Sequence, residues 1–258
     1  MPMKIVVAIK QVPESGSPFR IDGSGRWIEE IDLNYTLNES DAYALEQALQ
    51  LKEQHGGEVV ALSAGPDRVQ SVLRDALAKG ADRAMHIRCG DGPDRDALGT
   101  ARLLAAAIRP ESPDLVLTGL QSDDVGHGQT GVLLAELLGM PHASLILQVE
   151  KSETGLNVKR ELEEGWLQMI ELPMPAVLTI QSGGNKLRYA TLMGIKRAKT
   201  KEMRSIDAPE LGVDTAAVAV LDHVSTIRKQ KSGQILTGTP AQAAAALVEK
   251  LQFEARVL

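Results

Sequence analysis

The sequence predicts an α/β protein: a doubly wound, mostly parallel sheet with an antiparallel edge hairpin and a C-terminal arm. Three observations point there. From residue 1 to about 150, short aliphatic runs alternate with longer segments of helical periodicity. The runs are rich in β-branched residues and do not alternate apolar with polar, as in strands covered on both faces. After residue 150 the rhythm changes to paired extended segments and then to a polar connector.

In chain order, Ile5-Val6-Val7-Ala8-Ile9 is the first buried strand. The segment 40-SDAYALEQALQLKEQ-54 places Ala44, Leu45, Ala48, Leu49 and Leu51 on one helical stripe, with Ser40 or Asp41 as N-cap and Gly56-Gly57 as the stop. Val59-Val60-Ala61-Leu62 is a second strand, and 67-DRVQSVLRDALAKG-80 and 94-DRDALGTARLLAAAI-108 are helices, each opening with Asp. Leu115-Val116-Leu117 is a further strand. The stretch 156-LNVKRELEEGWLQMIEL-172 reads as a hairpin around the polar 161-ELEEG-165, and 176-AVLTIQ-181 as another buried strand. From Gly183 onward little could form a core of its own, until 239-TPAQAAAALVEKL-251 gives a helix with Thr239 as N-cap and Pro240 at its first position. The organisation expected is a nucleotide-binding domain over 1–206, containing a basic segment at 186–204, and an arm over 207–258. The arm is expected to dock on a partner subunit, though the pattern alone leaves packing on its own domain open.

Composition narrows the function. With 28 basic against 34 acidic residues the chain is net negative, which argues against nucleic acid as a partner. Aromatics are 3% of residues against 43% hydrophobic, so the core is aliphatic. Cys89 is the single cysteine, which excludes an intramolecular disulfide and a multi-cysteine metal or iron–sulfur site. The five histidines are scattered without metal-ligand spacing, so no metal is expected. The apolar run at the start is too short for a signal-peptide core or a membrane span. A soluble, cytoplasmic protein without membrane insertion is the expectation.

An open parallel sheet binds ligands beyond the carboxyl ends of its strands. Four connections there are informative: 8-AIKQVP-13, 37-LNESD-41, 63-SAGPDR-68 and 119-GLQSDDVGHGQTG-131. The last two join glycines to helix starts, whose free backbone N–H groups can cradle a phosphate. None is a Walker loop and no strand is followed by GxGxxG. Plain helix capping explains each alone; together they make a nucleotide-sized site. Catalytic constellations are missing, so the site is read as one for binding rather than acid–base work, with no catalytic residue. The segment 186-KLRYATLMGIKRAKTKEMR-204 sets seven cations against one anion around Leu192, Met193 and Ile195, a composition suited to docking an acidic partner.

These residues resemble the β subunit of electron transfer flavoprotein. The run 158-VKRELEEGWLQMIELPMPAVLT-179 fits that family's signature, and 4-KIVVAIKQ-11, 37-LNESDAYALEQAL-49, 63-SAGPDR-68, 77-LAKGADRA-84, 129-QTG-131 and 188-RYATLMGIKRAK-199 match further pieces. The likeness extends from residue 4 to about 212, and its details are nearest to members serving methylamine-type dehydrogenases. It implies an adenine-nucleotide α-hydrolase-like sheet, a homologous electron transfer flavoprotein α subunit that binds most of a shared FAD, a flavin-containing dehydrogenase as electron donor, and a quinone reductase or similar acceptor. It also implies one structural AMP in this chain. Carried over by position, the AMP contacts are Ala8, Asn38, Ala64, Asp124, Gly128, Gln129 and Thr130, within loops that include Ser63, Gly65, Asp123 and Gly131. The family's recognition loop falls on Tyr189, Leu192, Met193, Ile195, Lys196 and Arg197, with Leu192 at the anchor position and Leu187 where a Pro is usual. Ser15 stands where a Tyr near the flavin would be, Gly128 replaces an Asn and Ala64 a Cys. Two other readings stay open: an electron-bifurcating relative with a second FAD in place of AMP, and a stand-alone adenine-nucleotide-binding protein.

Overall fold

The computed structural model describes residues 2–90, 92–226 and 233–257. It separates into two compact units, Met1–Val224 and Ser225–Leu258.

The first unit begins with β1 (Met3–Ala8), β2 (Gln11–Pro13) and β3 (Tyr35–Leu37), followed by α1 (Glu39–His55) and β4 (Gly57–Gly65). Next come a 3-10 turn at Asp67–Val69, α2 (Gln70–Lys79), β5 (Arg83–Arg88), α3 (Ala97–Ile108), β6 (Leu115–Gly119) and α4 (Thr130–Leu138). The chain continues through β7 (His142–Lys151), β8 (Leu156–Glu161), β9 (Leu167–Leu172), β10 (Ala176–Ile180), α5 (Leu192–Ala198) and β11 (Met203–Asp207). Among the described residues one sheet has the order β11-β5-β4-β1-β6-β10-β7-β8-β9. From β11 to β7 neighbouring strands run parallel, and β8 and β9 are the antiparallel edge hairpin the sequence predicts.

The aliphatic runs are continuous because both faces of the sheet are covered. On one face Ile5, Val7, Val59, Ala61, Leu115 and Leu117 pack with Leu45, Leu49, Leu73 and Leu77 of α1 and α2. On the other, Val6, Val60, Leu62 and Val116 pack with Leu103, Leu104, Ile108 and Leu134 of α3 and α4. The connections from β1 lead to β4 on one side, while β6 lies on the other. The order therefore reverses between β1 and β6, which opens a crevice at the carboxyl edge.

Several boundaries differ from expectation. The N-cap of α1 is Asn38, so Ser40 and Asp41 lie in the first turn, freed for other bonds. Asp96, not Asp94, caps α3 and accepts the Gly99 N–H at 2.8 Å. The basic segment is not a bare loop: Thr191 caps the short α5, and β11 then pairs with β5. Residues 207–224 lie within the first unit, where Asp96 also accepts the Val218 and Ala219 N–H groups at 2.9 and 3.0 Å.

In the second unit α6 (Pro240–Phe253) starts as read, with Thr239 and Gln242 capping each other's backbone. Leu247, Val248 and Phe253 on this helix are exposed. Among the described residues no helix is long and apolar enough to cross a membrane.

Candidate functional site

Every residue assigned to the nucleotide site lies at the carboxyl edge of the sheet, around the β1/β6 reversal. Ala8 ends β1, Ser63, Ala64 and Gly65 end β4, and Asn38 starts α1. Asp123, Asp124 and Gly128 occupy the loop from β6 to α4, Gln129 is the N-cap of α4, and Thr130 and Gly131 form its first turn. Gly131 sits flush on the strand ends, since a Cβ there would collide with Thr118 and Thr179. This packing aims the unpaired N–H groups of the α4 N-terminus over the crevice, where they suit a phosphate. Gly126 and Gly128 have φ of 61° and 62°, a left-handed conformation that keeps the loop compact. The Ser63 hydroxyl is buried without a hydrogen-bond partner, as is that of Thr179. Polar atoms so placed favour a ligand that supplies the missing bonds, and the donor set here fits a nucleotide.

The start of α1 ties the two lips of the crevice together. Buried Asp41 accepts the Lys10 N–H and the Gly119 N–H, each at 2.7 Å, and so bridges the exits of β1 and β6. Burial pushes its carboxyl up to about 7, against the opposing pull of those two donors, of Asn38 and of the Lys10 charge. Asn38 donates to the Gln121 carbonyl and accepts from the Asp123 N–H, while Asp123 accepts the Glu39 N–H. Asp124 binds the Lys10 ammonium at 2.6 Å; burial raises its carboxyl, but the Lys10 charge and hydrogen bond leave it below the usual range. Asp41 and Lys10 were missed by sequence reasoning, which took Asp41 for a cap. Their partners lie 78 and 114 residues away, and no local pattern signals them.

The basic segment lies apart from the crevice, as a second candidate site. Gly194 packs so closely on the Ala78 carbonyl of α2 that a side chain would not fit. This seats α5 on α2 and turns its other side outward, leaving Leu192 81%, Met193 58% and Ile195 46% exposed, with Tyr189 beside them at 93%. Lys196, Arg197 and Lys199 are exposed around these apolar groups. Arg188 and Lys201 are instead structural. Arg188 forks onto Glu46 and Glu53 of α1 at 2.7 and 2.6 Å, and Lys201 caps the end of α2 through the Leu77 and Ala81 carbonyls. Burial raises Glu46, but bonds from Arg188 and Gln50 outweigh it and hold the carboxyl below its ordinary range. Desolvation lowers Lys201.

Among the described residues no group of three or more His, Cys, Asp or Glu could hold a metal ion. Residues 26–211 match the model of the electron transfer flavoprotein domain. An electron transfer flavoprotein subunit beta from Methylophilus methylotrophus is 39% identical over 96% of this chain and 97% of its own length. The chain belongs to the electron transfer flavoprotein β-subunit family. Other relatives include a protein of the same name from Bacillus subtilis, 34% identical over 90% of this chain and 91% of its own. A rice (Oryza sativa subsp. japonica) relative named as mitochondrial is 36% identical over 99% and 100%. The family domain covers both sites but for the strand β1 and the Lys10 lip of the crevice, which precede residue 26.

Proposed function

We propose that this chain pairs with a homologous α subunit as an electron carrier, accepting electrons from a flavin-containing dehydrogenase and passing them to a quinone reductase or similar acceptor. The observation that carries the reading is the pairing of a strand reversal, where the N-terminus of α4 and the unpartnered Ser63 and Thr179 hydroxyls come together, with a separate, exposed apolar helix ringed by cations. The crevice would hold one AMP. Backbone N–H groups at Gly128, Gln129, Thr130 and Gly131 would take its phosphate, and Ala8, Asn38, Ser63, Ala64, Gly65, Asp123 and Asp124 would enclose the remainder. FAD supplies the one-electron and two-electron chemistry and would be bound mostly by the α subunit. This chain's residues would position it and perform no bond chemistry. Tyr189, Leu192, Met193 and Ile195 would meet the dehydrogenase, with Lys196 and Arg197 raising the encounter rate. The segment from residue 225, including the exposed apolar residues of α6, would lie on the α subunit. A reducing, cytoplasmic setting suits a chain with one cysteine.

The test is to co-express the chain with the α subunit of the same cell, denature the purified heterodimer without added nucleotide, and quantify the adenine compounds released. One AMP and one FAD per heterodimer is the expected result. Release of no AMP overturns the reading of the crevice, and two FAD without AMP would favour the electron-bifurcating alternative. Removal of residues 239–258 should weaken heterodimer formation, and unchanged affinity and FAD content would refute the role given to α6.

A further inference from the structure

The loop between β6 and α4 is held very unevenly. Its first half is bound to the start of α1 through Gly119 N–H, the Gln121 carbonyl, which accepts from both Asn38 and Ser40, and Asp123 at its backbone and its carboxylate. Beyond Asp124 the stretch up to Gln129 is mostly exposed and contains the two left-handed glycines, Gly126 and Gly128. Its backbone bonds at Val125 and Gly126 return only to Asp124 and Ser122, within the same loop. Among the described residues Asp124 is thus the last point at which a hydrogen bond from another segment holds the loop before the start of α4. The grip is Lys10, whose ammonium reaches both Asp124 oxygens at 2.7 and 2.6 Å and Ser122 Oγ at 3.4 Å.

Lys10 can act as a fixed strut because its own backbone is pinned on both sides. Its N–H goes to Asp41 at 2.7 Å, and its carbonyl accepts the Asn38 N–H at 3.0 Å. The side chain therefore spans from one lip of the crevice to the loop on the other. A cation paired with a carboxylate in a loop meant to face a phosphate also has electrostatic sense, because it cancels a negative charge that would repel the ligand.

We propose that Lys10 is a positioning residue that latches the 124–129 loop over the crevice through Asp124, and that this latch sets how fast bound nucleotide exchanges. The proposal rests on the crevice holding AMP. With the latch closed, the glycine-containing stretch is held against the helix start and the nucleotide is trapped. With it open, that stretch swings about Gly126 and Gly128 and the phosphate site is uncovered.

The test uses the intact heterodimer and isotopically labelled AMP as the probe, following replacement of the endogenous nucleotide below the melting temperature. Lys10→Met and Asp124→Asn should each speed exchange on the order of tenfold, the size expected for a partly exposed charge-assisted hydrogen bond. The double variant should be no faster than either single one, and Lys10→Arg should restore slow exchange. Raising salt should speed exchange in the natural protein and leave Lys10→Met unaffected. Should Lys10→Met not fold, Asp124→Asn and Lys10→Arg decide alone. Natural protein that releases AMP on denaturation while every folded variant exchanges at the natural rate overturns the latch. Natural protein that contains no adenine compound overturns the reading of the crevice instead.

Discussion

Replacing Leu192 by Ala separates a docking anchor from a core residue. Full burial of a Leu side chain is worth about 1.5–3 kcal/mol. Leu192 is 81% exposed, so a partner's pocket could still bury most of that, roughly 1–2.5 kcal/mol. Loss of that contact corresponds to roughly 5- to 70-fold in the second-order rate of dehydrogenase-to-flavoprotein transfer. Stability should move by less than about 0.5 kcal/mol, because the side chain touches little and Ala is a good helix former. The Thr191 cap, which accepts the Gly194 N–H at 3.0 Å, is untouched by the change. The assay is flavin reduction in the heterodimer under a range of dehydrogenase concentrations, with melting temperature and FAD content measured on the same sample. An unchanged rate per folded molecule refutes the docking role. A large fall in melting temperature with a normal rate would mean that Leu192 stabilises the fold instead.

Three further outcomes follow from the geometry. Arg188→Met strands the buried Glu46 carboxylate. Breaking a fully buried pair costs about 3–5 kcal/mol, and the partial exposure of Arg188 and the remaining Gln50 bond reduce this to about 2–3 kcal/mol, read by urea unfolding. A variant as stable as the natural protein would show that the fork contributes nothing. Asp41 holds its proton more tightly folded than unfolded, since burial lifts its carboxyl from 3.8 to about 7. Its contribution to stability is therefore full below the unfolded value and is lost as pH rises through about 7. Asp41→Asn should flatten this part of the stability profile, and an unchanged slope would count against the assignment. Gly119→Ala drives a methyl into Ser40 Oγ and Asp41, so it should cost about 2–3 kcal/mol and lower the AMP content per folded heterodimer; full nucleotide content would refute the tie between the lips.

The sheet was legible because its central strands are apolar on both faces, so Ile5–Ile9 or Ala176–Ile180 could be little else. The edge strand β11 was not, since Met203–Asp207 has one buried residue, Ile206, and otherwise reads as part of the basic run. The short strands β2 and β3 pair across a long excursion that leaves no periodic trace. For the candidate sites, glycines placed before helix starts pointed to the loops that the structure brings to the carboxyl edge, and an apolar cluster among cations pointed to the segment that it leaves exposed. The division of those cations was not readable. Arg188 and Lys201 look like their neighbours in sequence, yet their partners are supplied by α1 and α2, more than a hundred residues earlier.

Helix α1 touches both sites. Its first turn, with Asn38 just before it, braces the crevice, and farther along Glu46 and Glu53 hold Arg188, from which the chain runs on into α5. With 17 residues it is a rod about 25 Å long. On the proposed function, a disturbance at the crevice end, such as loss of AMP, would shift the footing of the exposed α5 surface without changing any residue there. The proposed AMP would then serve as masonry, keeping the path between donor and acceptor at a constant length.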